Sequence, residues 1–426
     1  MIAELLTIGD ELLRGEIVDT NAAFLADRLV RLEVETRFHT SVLDDPADMA
    51  DAFRRAAGRS ELVLVSGGLG PTRDDLTIEV LAETFGRKLQ LHEPSLTALE
   101  AFFARFGREM AENNRKQAFF PEGAEVLPNP VGTAPGCLLE AEGTLFFCMP
   151  GVPRELTRMM DEQVIPRVRE RVKRSGGEVV RTALLRTFGM GESTLDQELR
   201  DLAQGPHLAL GFRTAFPDNY LRPTARGRSE AEAEERLAGL IAAIEKRLGA
   251  LVYGRGDETL EVVVGRLLAA AGKRLAAAES CTGGLLGERI SSVPGASAYF
   301  LGSVVAYANR AKEQLLGVPA ALLREHGAVS EPVAVAMAQG VRERLGADFA
   351  VSTTGISGPS GGSEEKPVGL VYVGFASAEG ARAHELLFPF ERQRHRIATT
   401  QVALDQVRRT LQGCEPRVPR SFQRAR

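Results

Sequence analysis

The feature that most constrains the fold of this chain is a repeated pattern of an apolar run, a loop and a helical pattern. In one repeat, the apolar run Leu-Val-Leu-Val-Ser at 62–66 leads into a glycine-rich loop at 67–75 and a helical pattern at 76–85. A second repeat begins with the apolar run 2–8, and its helix is expected at 21–30. This alternation predicts an α/β fold with a doubly wound parallel sheet. Its ligand crevice should lie at the carboxyl ends of the strands, where both loops meet.

The glycine-rich loop has the chemistry of a phosphate site. Because Gly67, Gly68 and Gly70 carry no side chains, backbone N–H groups there can approach an anion at a helix N-terminus. No Gly-Lys-Ser/Thr follows, so the loop is not a P-loop. Asp74 and Asp75 suit either metal binding or capping of the next helix, and both interpretations stay open. The full set of candidate oxygen ligands for a divalent metal is Asp10, Asp19, Asp74 and Asp75.

Further loops complete a resemblance to a known family. A basic segment at 114–118 and turn-rich segments at 129–136 and 150–155 follow in order. With the Gly-Asp-Glu at 9–11, the Asp-Thr-Asn at 19–21 and the glycine-rich loop, they resemble the N-terminal domain of the competence-damage-inducible (CinA) family, which is similar to molybdopterin-binding domains.

The resemblance implies a domain at residues 1–170 that hydrolyses ADP-ribose, assisted by a divalent metal (Mg, Co or Mn) and by potassium. The same pocket would serve equally in a domain that only binds a nucleotide, which is the alternative. The residues expected at the nucleotide site are Gly67, Gly68, Gly70, Thr72, Asn114, Lys116, Gly132, Thr133 and Gly151.

A charged segment that ends in Ser-Gly-Gly at 175–177 is predicted to link the first domain to a small α+β connector at 177–252. Within the connector, the patterns at 179–188 and 208–212 predict strands. The acidic, alanine-rich segment 230–248 predicts an amphipathic helix.

The family resemblance implies a KH-like fold for this connector. True KH domains clamp nucleic acid with a Gly-X-X-Gly loop. The corresponding segment here, Gly-Met-Gly-Glu at 189–192, contains no basic residue. We therefore expect no nucleic-acid binding, and we expect the connector to space the outer domains within a homodimer.

In the last part of the chain, the segment 277–284 has the sequence Ala-Ala-Glu-Ser-Cys-Thr-Gly-Gly and follows a helix predicted at 260–271. Hydroxyl residues followed by paired glycines at a strand-to-helix junction expose a nucleophile beside backbone N–H donors, which is the arrangement that acyl transfer needs. Taken alone, the segment is also typical of a helix cap.

A nucleophilic Ser280 needs a base, and no histidine lies near it in the sequence. A strand that breaks into a helix at 304–312 brings Tyr307 and Lys312 to its junction. Burial would lower the pKa of Lys312 enough for it to accept the serine proton, whereas an exposed helix face would make it an ordinary surface lysine. Cys281 is the rival nucleophile, because a thiolate attacks better than an alkoxide but needs a positive neighbour.

Two further loops follow, at 327–332 before a helix and at 351–362 after a strand; the second is rich in glycine and hydroxyl groups and suits a phosphate or a ribose. Together with the segments around Ser280 and Lys312 and the Lys-Pro-Val-Gly at 366–369, they resemble the nicotinamide-mononucleotide amidase domain of the same family over residues 258–412. The resemblance implies an α/β domain that hydrolyses the carboxamide of nicotinamide mononucleotide, without a cofactor, to nicotinate mononucleotide and ammonia in pyridine-nucleotide recycling.

We therefore assign Ser280, Lys312 and Tyr307 as the catalytic group, with Ser280 attacking the carboxamide carbon and N–H groups at 282–284 holding the oxyanion. Arg392 matches the family, but its loop has Phe-Glu before the arginine where the family commonly has Gly-Asp. The residues expected around the oxyanion and the substrate are Cys281, Thr282, Gly283, Gly284, Asn309, Ser330, Thr354, Gly355, Ser357, Gly358 and Arg392.

Composition favours a cytoplasmic protein. The net charge of −5 gives no reason to expect a broad basic surface for nucleic acid. Four scattered cysteines indicate free thiols in a reducing compartment, and no signal or membrane segment is evident. The alternative of a non-catalytic competence or DNA-repair factor is supported only by the basic tail at 413–426, which we expect to be disordered.

Overall fold

The computed structural model describes residues 1–414 except 33, 106, 108 and 175–177. The chain divides into two compact units, Met1–Val180 and a second unit that begins at Arg181. The predicted linker at 175–177 and most of the predicted tail therefore lie outside the described residues. Within the described residues, no helix is both long and apolar enough to cross a membrane.

The first unit is built on a six-stranded sheet. Its strands are β1 (Ile2–Ile8), β2 (Glu35–Val42), β3 (Leu62–Ser66), β6 (Glu125–Leu127), β7 (Gly136–Ala141) and β8 (Thr144–Met149), and a separate pair is formed by β4 (Leu89–Leu91) and β5 (Phe119–Pro121). The order is β2-β1-β3-β8-β7-β6, in which the first four strands run parallel and the last two alternate in direction. Because β2 and β3 flank β1, the order reverses between β1 and β3, where a ligand crevice is expected.

Helices cover both faces of this sheet. They are α1 (Asp10–Leu13), α2 (Thr20–Val30), α3 (Pro46–Ala57), α4 (Thr77–Thr84), α5 (Glu93–Arg105), α6 (Pro153–Met159) and α7 (Ile165–Arg174). Alternate residues of β3 serve the two faces: Val63 and Val65 pack with residues of α3 and α4, and Leu62 and Leu64 pack with residues of α2 and α6. The predicted doubly wound sheet is confirmed.

The second unit begins with the connector. Its strands are β9 (Val179–Thr182), β10 (Leu185–Thr187), β11 (Leu208–Ala215), β12 (Asp218–Gly227) and β13 (Val252–Arg255), and its helices are α8 (Glu192–Leu199) and α9 (Glu230–Leu248). The prediction of one strand at 179–188 is wrong, because the segment forms two strands, β9 and β10, with an interruption between them. The break lies opposite Pro223 of β12, whose carbonyl accepts from the Ala183 N–H but which has no N–H to donate to the ladder.

The rest of the second unit is an α/β domain with the sheet order β15-β14-β16-β17-β18. The strands are β14 (Leu275–Glu279), β15 (Phe300–Val305), β16 (Phe349–Gly355), β17 (Leu370–Ser377) and β18 (Gly380–Leu387), and the helices are α10 (Leu260–Ala271), α11 (Leu285–Ser291), α12 (Asn309–Leu316), α13 (Ala320–His326), α14 (Glu331–Leu345) and α15 (Arg392–Leu411). Strand β14 is an interior strand and runs parallel to both neighbours. Its small side chains Ala276 and Ala278 pack towards α14, while Leu275 and Ala277 pack towards α10 and α15.

The connector and this last domain pack together along α15. The Gln401 amide donates to Asp218 of β12 at 2.6 Å, and the Arg408 guanidinium donates to the Ala250 carbonyl at 2.6 Å. Tyr253 of β13 donates to the other Asp218 oxygen, also at 2.6 Å. The connector is therefore part of one compact unit with the last domain.

Candidate active site

The carboxyl ends of β14, β15 and β16 meet at one edge of the sheet. Ser280 directly follows β14, and its N–H donates to the Thr353 carbonyl of β16 at 2.9 Å. On the other side, the Ala306 N–H after β15 donates to the Glu279 carbonyl at 2.8 Å. Ser280 thus lies directly after β14, between the two strands β15 and β16 that flank it.

Lys312 of α12 is buried beside this serine. Its Nζ lies 3.0 Å from Ser280 Oγ, 2.9 Å from the Ala306 carbonyl and 3.2 Å from the Tyr307 carbonyl. Only 1% of Lys312 is exposed. Desolvation lowers the pKa of Lys312, because burial disfavours the charged form. The alternative interpretation, in which Lys312 is an ordinary exposed surface lysine, is therefore excluded.

Both protonation states of Lys312 can make these three contacts: the ammonium form would donate to all three oxygens, and the lowered pKa favours the neutral form. A neutral amine has two N–H bonds and one lone pair. In the neutral form, the two N–H groups can donate hydrogen bonds to the two backbone carbonyls, and the lone pair is then directed at Ser280 Oγ. An amine so placed can accept the serine proton as the oxygen attacks a substrate.

Cys281 is placed differently from Ser280. Its side chain belongs to the apolar core with Val351 and Leu286. Burial raises the pKa of the Cys281 thiol to about 12, so the thiol stays protonated at neutral pH. Of the two candidate nucleophiles, the geometry favours Ser280.

Glu279, which sequence reasoning did not assign to the site, shapes the loop after β14. Its buried carboxylate accepts from the N–H groups of Gly284, Leu286 and Gly287 at 2.8–3.0 Å. The hydroxyls of Thr282 and Ser303 donate to it as well, both at 2.7 Å. A charged residue in an otherwise apolar, alanine-rich strand was the signal that could have identified it.

This carboxylate changes the expected oxyanion site. The Gly284 N–H is used by Glu279, and the Gly283 N–H donates to the Ser280 carbonyl at 3.1 Å. The two glycines instead supply positive φ angles of 58° and 99°, which the tight turn requires. In the described part of the chain, the N–H groups of Cys281 and Thr282 donate to no other residue. They are the donors available to an oxyanion.

Several predicted hydroxyls hold the surrounding loops. Thr354 donates to the Ala328 carbonyl at 2.7 Å, and Ser330 donates to the Gly327 carbonyl at 2.9 Å. Gly355 is needed for close packing, because a Cβ there would lie 2.7 Å from the Leu370 carbonyl oxygen.

Ser357 is paired with a histidine that sequence reasoning missed. His395 Nε2 lies 3.2 Å from the Gly369 carbonyl, so that nitrogen carries the proton and Nδ1 accepts from the Ser357 hydroxyl at 3.0 Å. Burial lowers the pKa of His395 to about 4, which keeps the ring neutral. Because His395 follows Ser357 by 38 positions, only the fold reveals the pair.

A cavity of about 480 Å³ lies at the start of α15, and it is lined in part by Ser357, Gly358, Arg392 and Arg396. Arg392 donates to the Gly358 carbonyl at 2.9 Å and to the Tyr307 hydroxyl at 3.1 Å. Arg396, which the sequence did not indicate, donates to the Thr282 carbonyl at 2.7 Å. The cavity is therefore adjacent to the Ser280 loop and carries two guanidinium groups, opposed by the single carboxylate of Glu391.

Tyr307 and Asn309 are both exposed. The Tyr307 carbonyl contacts Lys312, whereas its hydroxyl accepts from Arg392. Asn309 begins α12 and makes no side-chain hydrogen bond to the described residues.

In the first unit, the predicted loops do meet at the β1/β3 crevice. A Cβ at Gly67 would lie 2.2 Å from the Ile8 carbonyl oxygen, and one at Gly151 would lie 3.4 Å from Gly67 Cα. Asn21 joins them by donating to the Gly151 carbonyl at 2.7 Å and to Ser66 Oγ at 3.1 Å. The loops after β1, β3 and β8 are thus brought together.

The glycine-rich loop is held by its own polar residues. Thr72 donates through both its N–H and its hydroxyl to Asp75, at 2.8 and 2.5 Å. Lys116 Nζ donates to the carbonyls of Thr72 and Asp75 at 2.5 and 2.6 Å. Asn114 instead donates to the carbonyl of Ala111, which precedes the short 3-10 helix Glu112–Ala118.

The other predicted nucleotide residues line two hollows that share Pro135. Gly68, Gly70 and Lys116 line the smaller one, and Gly132 and Thr133 line a cavity of about 470 Å³ beside α5. Gly132 is tightly placed, because a Cβ there would lie 2.1 Å from the Glu155 carboxylate.

The four aspartates expected to bind metal do not form one ligand set. Asp19 caps α2 through the Ala22 N–H and lies 3.4 Å from His39, and Asp75 is used by Thr72. Asp10 pairs with Arg14 and with the Asp44 N–H. Among the described residues, no three His, Cys, Asp or Glu side chains are placed to hold a metal ion together.

A smaller acidic cluster nevertheless lies beside the glycine-rich loop. Asp44, which the sequence reading missed, has a raised pKa, first because it is buried and then because Asp10, Glu11 and Asp74 add negative charge nearby. This group does not fit a metal held by the protein alone. It does fit a divalent ion held mainly by substrate phosphates, for which one or two carboxylates suffice.

Three family descriptions match successive parts of the chain: a probable molybdopterin binding domain at residues 4–170, the damage-inducible protein CinA KH domain at 182–254 and the CinA C-terminal domain at 257–411. A CinA-like protein of Anaeromyxobacter sp. (strain Fw109-5) is 47% identical over 411 residues, covering 96% of this chain and 98% of that protein. A putative competence-damage inducible protein of Caldanaerobacter subterraneus subsp. tengcongensis is 44% identical over 415 residues, covering 97% and 99%.

Among solved structures, the protein CinA of Thermoplasma acidophilum is similar at 36% identity and a TM-score of 0.36, covering 38% of this chain and 97% of that one. The matches and the fold define an α/β protein with a molybdopterin-binding-like domain, a KH-like connector and a CinA C-terminal domain. The chain belongs to the CinA family. The family expected from the sequence is confirmed.

The burial of three cysteines predicts how thiol reagents will react. We expect iodoacetamide at neutral pH to alkylate Cys414 in the folded protein and to leave Cys137, Cys148 and Cys281 unmodified, because these three are buried and only Cys414 is partly exposed. Peptide mass spectrometry measures the modified sites, and denatured protein should be alkylated at all four. Rapid alkylation of Cys281 in the folded protein would contradict the raised pKa assigned to it.

Proposed function

We propose that the C-terminal domain hydrolyses the carboxamide of nicotinamide mononucleotide to nicotinate mononucleotide and ammonia. The observation that carries this proposal is the buried contact between Lys312 Nζ and Ser280 Oγ at 3.0 Å. Serine with lysine as its base is a known arrangement for acyl transfer. The cavity with Arg392 and Arg396 offers guanidinium groups of the kind that bind a phosphate.

In the proposed mechanism, Lys312 accepts the Ser280 proton as Ser280 Oγ forms a bond to the carboxamide carbon. The N–H groups of Cys281 and Thr282 stabilise the oxyanion. Lys312 then returns the proton to the leaving nitrogen, so the C–N bond breaks and ammonia departs. A water molecule, deprotonated by the same amine, hydrolyses the resulting ester and regenerates Ser280.

Replacement of the nucleophile tests this assignment. We expect Ser280→Ala to reduce ammonia release from nicotinamide mononucleotide by about a thousandfold or more, because it removes the attacking atom. Cys281→Ala removes a buried, protonated thiol and is expected to stay within about threefold of the unchanged protein. Thermal unfolding checks that both variants fold. Full activity in Ser280→Ala would sink the assignment, and loss of activity only in Cys281→Ala would transfer the role to the thiol.

The lowered pKa of Lys312 predicts the pH dependence of the reaction. Only the neutral amine can accept a proton, so kcat should fall as the pH decreases through the lowered pKa of Lys312. As the pH rises, kcat should stop increasing at a pH below about 10.4, the ordinary pKa of lysine. Lys312→Arg keeps a cation that does not deprotonate and should lower kcat by about 10²–10⁴-fold. An unchanged pH profile in this variant would exclude Lys312 as the base.

For the N-terminal domain, we propose binding of ADP-ribose and metal-dependent cleavage of its pyrophosphate. The supporting observation is the acidic cluster of Asp10, Asp44 and Asp74 beside the glycine-rich loop. When bound, a divalent ion would neutralise charge on the phosphates. The backbone at 67–70 would bind the phosphate oxygens, and Lys116 and Asp75 would hold that loop in shape.

The connector gives less support to nucleic-acid binding than the two candidate sites give to enzymatic activity. In the segment that corresponds to the KH clamp, the Glu192 carboxylate accepts from the Thr214 hydroxyl at 2.7 Å. A carboxylate at this position would repel a phosphate backbone. We therefore propose an enzyme in preference to a non-catalytic competence or repair factor.

Asp74 provides the test of the N-terminal activity, because its negative charge acts on Asp44 beside the glycine-rich loop; like Asp75, it also bonds Thr72. We expect Asp74→Asn to lower ADP-ribose hydrolysis by about tenfold or more at limiting magnesium, because one negative charge near the phosphates is lost. Asp51→Asn, which alters an exposed ion pair on α3, is the matched control and should have no effect. Release of AMP measures the activity. If the unchanged protein binds ADP-ribose tightly but releases no AMP, the proposed cleavage is wrong and the domain only binds the nucleotide.

A further inference from the structure

The connector reaches the wall of the C-terminal cavity through one aromatic residue. Phe216 lies in the turn between β11 and β12, and its ring meets the ring of Phe390 edge-on, with centroids 5.1 Å apart. Phe390 lines the cavity. The Arg394 guanidinium lies over both rings, 4.3 Å from the Phe216 centroid and 5.5 Å from that of Phe390. A residue of the connector is thus packed directly behind the cavity wall.

The turn that carries Phe216 is held on α15 at a second point. Asp218, two residues later, accepts from Gln401 at 2.6 Å and is itself buried. The turn therefore contacts α15 near its first residue, through Arg394, and again about two turns further along. Two contacts of this kind fix the turn relative to the helix.

The start of α15 carries the groups that face the cavity. Arg392 is its first residue and donates to the Gly358 carbonyl and the Tyr307 hydroxyl, both belonging to loops around the cavity. Arg396, one turn later, donates to the Thr282 carbonyl beside the nucleophile loop. Phe390 lies only two residues before Arg392 in the chain, so we expect a shift of Phe390 to displace the Arg392 guanidinium, whose planar shape makes its hydrogen bonds sensitive to orientation.

We propose that Phe216 of the connector is a positioning residue of the amidase cavity: it packs against Phe390 and so holds Arg392 in place for the phosphate of the substrate. This inference rests on the proposed amidase function. It assigns to the connector a part in substrate binding, although Phe216 does not touch the reacting atoms.

The test uses the full-length protein and separates substrate binding from chemistry. We expect Phe216→Ala to raise the KM for nicotinamide mononucleotide by about tenfold, the factor that corresponds to about 1.4 kcal/mol, with kcat and its pH profile unchanged. With nicotinamide riboside, which has no phosphate, the same substitution should have little effect. In an Arg392→Ala background, Phe216→Ala should add less than about twofold, because the two residues act through one contact.

The matched control is Phe212→Ala. Phe212 lies in the same strand, β11, but packs into the connector's own core, so its loss should leave the KM unchanged. Arg394→Gln approaches the same aromatic contact from α15 and should raise the KM as Phe216→Ala does. It keeps the inference testable if Phe216→Ala does not fold. An equal rise in KM in Phe212→Ala, or an equal effect on the riboside, would overturn the inference.

Failure of the proposed function can be distinguished from failure of this inference. If the unchanged protein releases no ammonia, the amidase proposal fails. Calorimetric titration of nicotinamide mononucleotide into the Ser280→Ala protein, with and without Phe216→Ala, still decides the positioning role. A tenfold rise in Kd supports it, whereas an unchanged Kd, or no binding at all, overturns it.

Discussion

The burial of one amine beside one hydroxyl is the interaction on which the C-terminal domain depends. Lys312 has lost nearly all its contact with water, and two backbone carbonyls replace that water without supplying a counter-ion. Burial of this kind disfavours the ammonium form and produces a base from a residue that is ordinarily protonated. The carbonyls come from the end of β15, and Ser280 comes from the end of β14. The pairing of those two strands therefore determines the chemistry of the site.

A buried carboxylate gives the nucleophile loop its shape. Glu279 would be costly to bury alone, but three backbone N–H groups and two hydroxyls surround it. Four of these donors come from the following turn and from the start of α11, and the fifth, Ser303, lies in β15. If the turn changed shape, the buried carboxylate would lose most of its hydrogen-bond donors. The same bonds occupy the Gly284 N–H. The oxyanion donors are consequently shifted towards Cys281 and Thr282.

Helix α15 joins the connector to the cavity. Its buried face includes Asp405, which accepts from both Arg408 and Arg409 at 2.6 Å. Arg408 also bonds the connector backbone at Ala250. Polar residues so deeply buried are compatible with folding only when each has partners, and here the connector provides some of them. This explains why the connector forms one unit with the last domain, and why its turn at Phe216 can influence the cavity.

The sequence by itself determined the family, the doubly wound first sheet and the helix at Glu230–Leu248, because these depend on local patterns of apolar residues and glycines. It also brought Ser280 and Lys312 forward as candidates, since their loops follow recognisable strands. Only the tertiary structure decided that Lys312 is buried, that the Cys281 thiol lies in the core and that Asp19 and Asp75 have other partners. Likewise, His395, Arg396 and Asp44 became visible only in the fold. Burial and long-range pairing depend on residues far apart in the chain, and no local pattern records them.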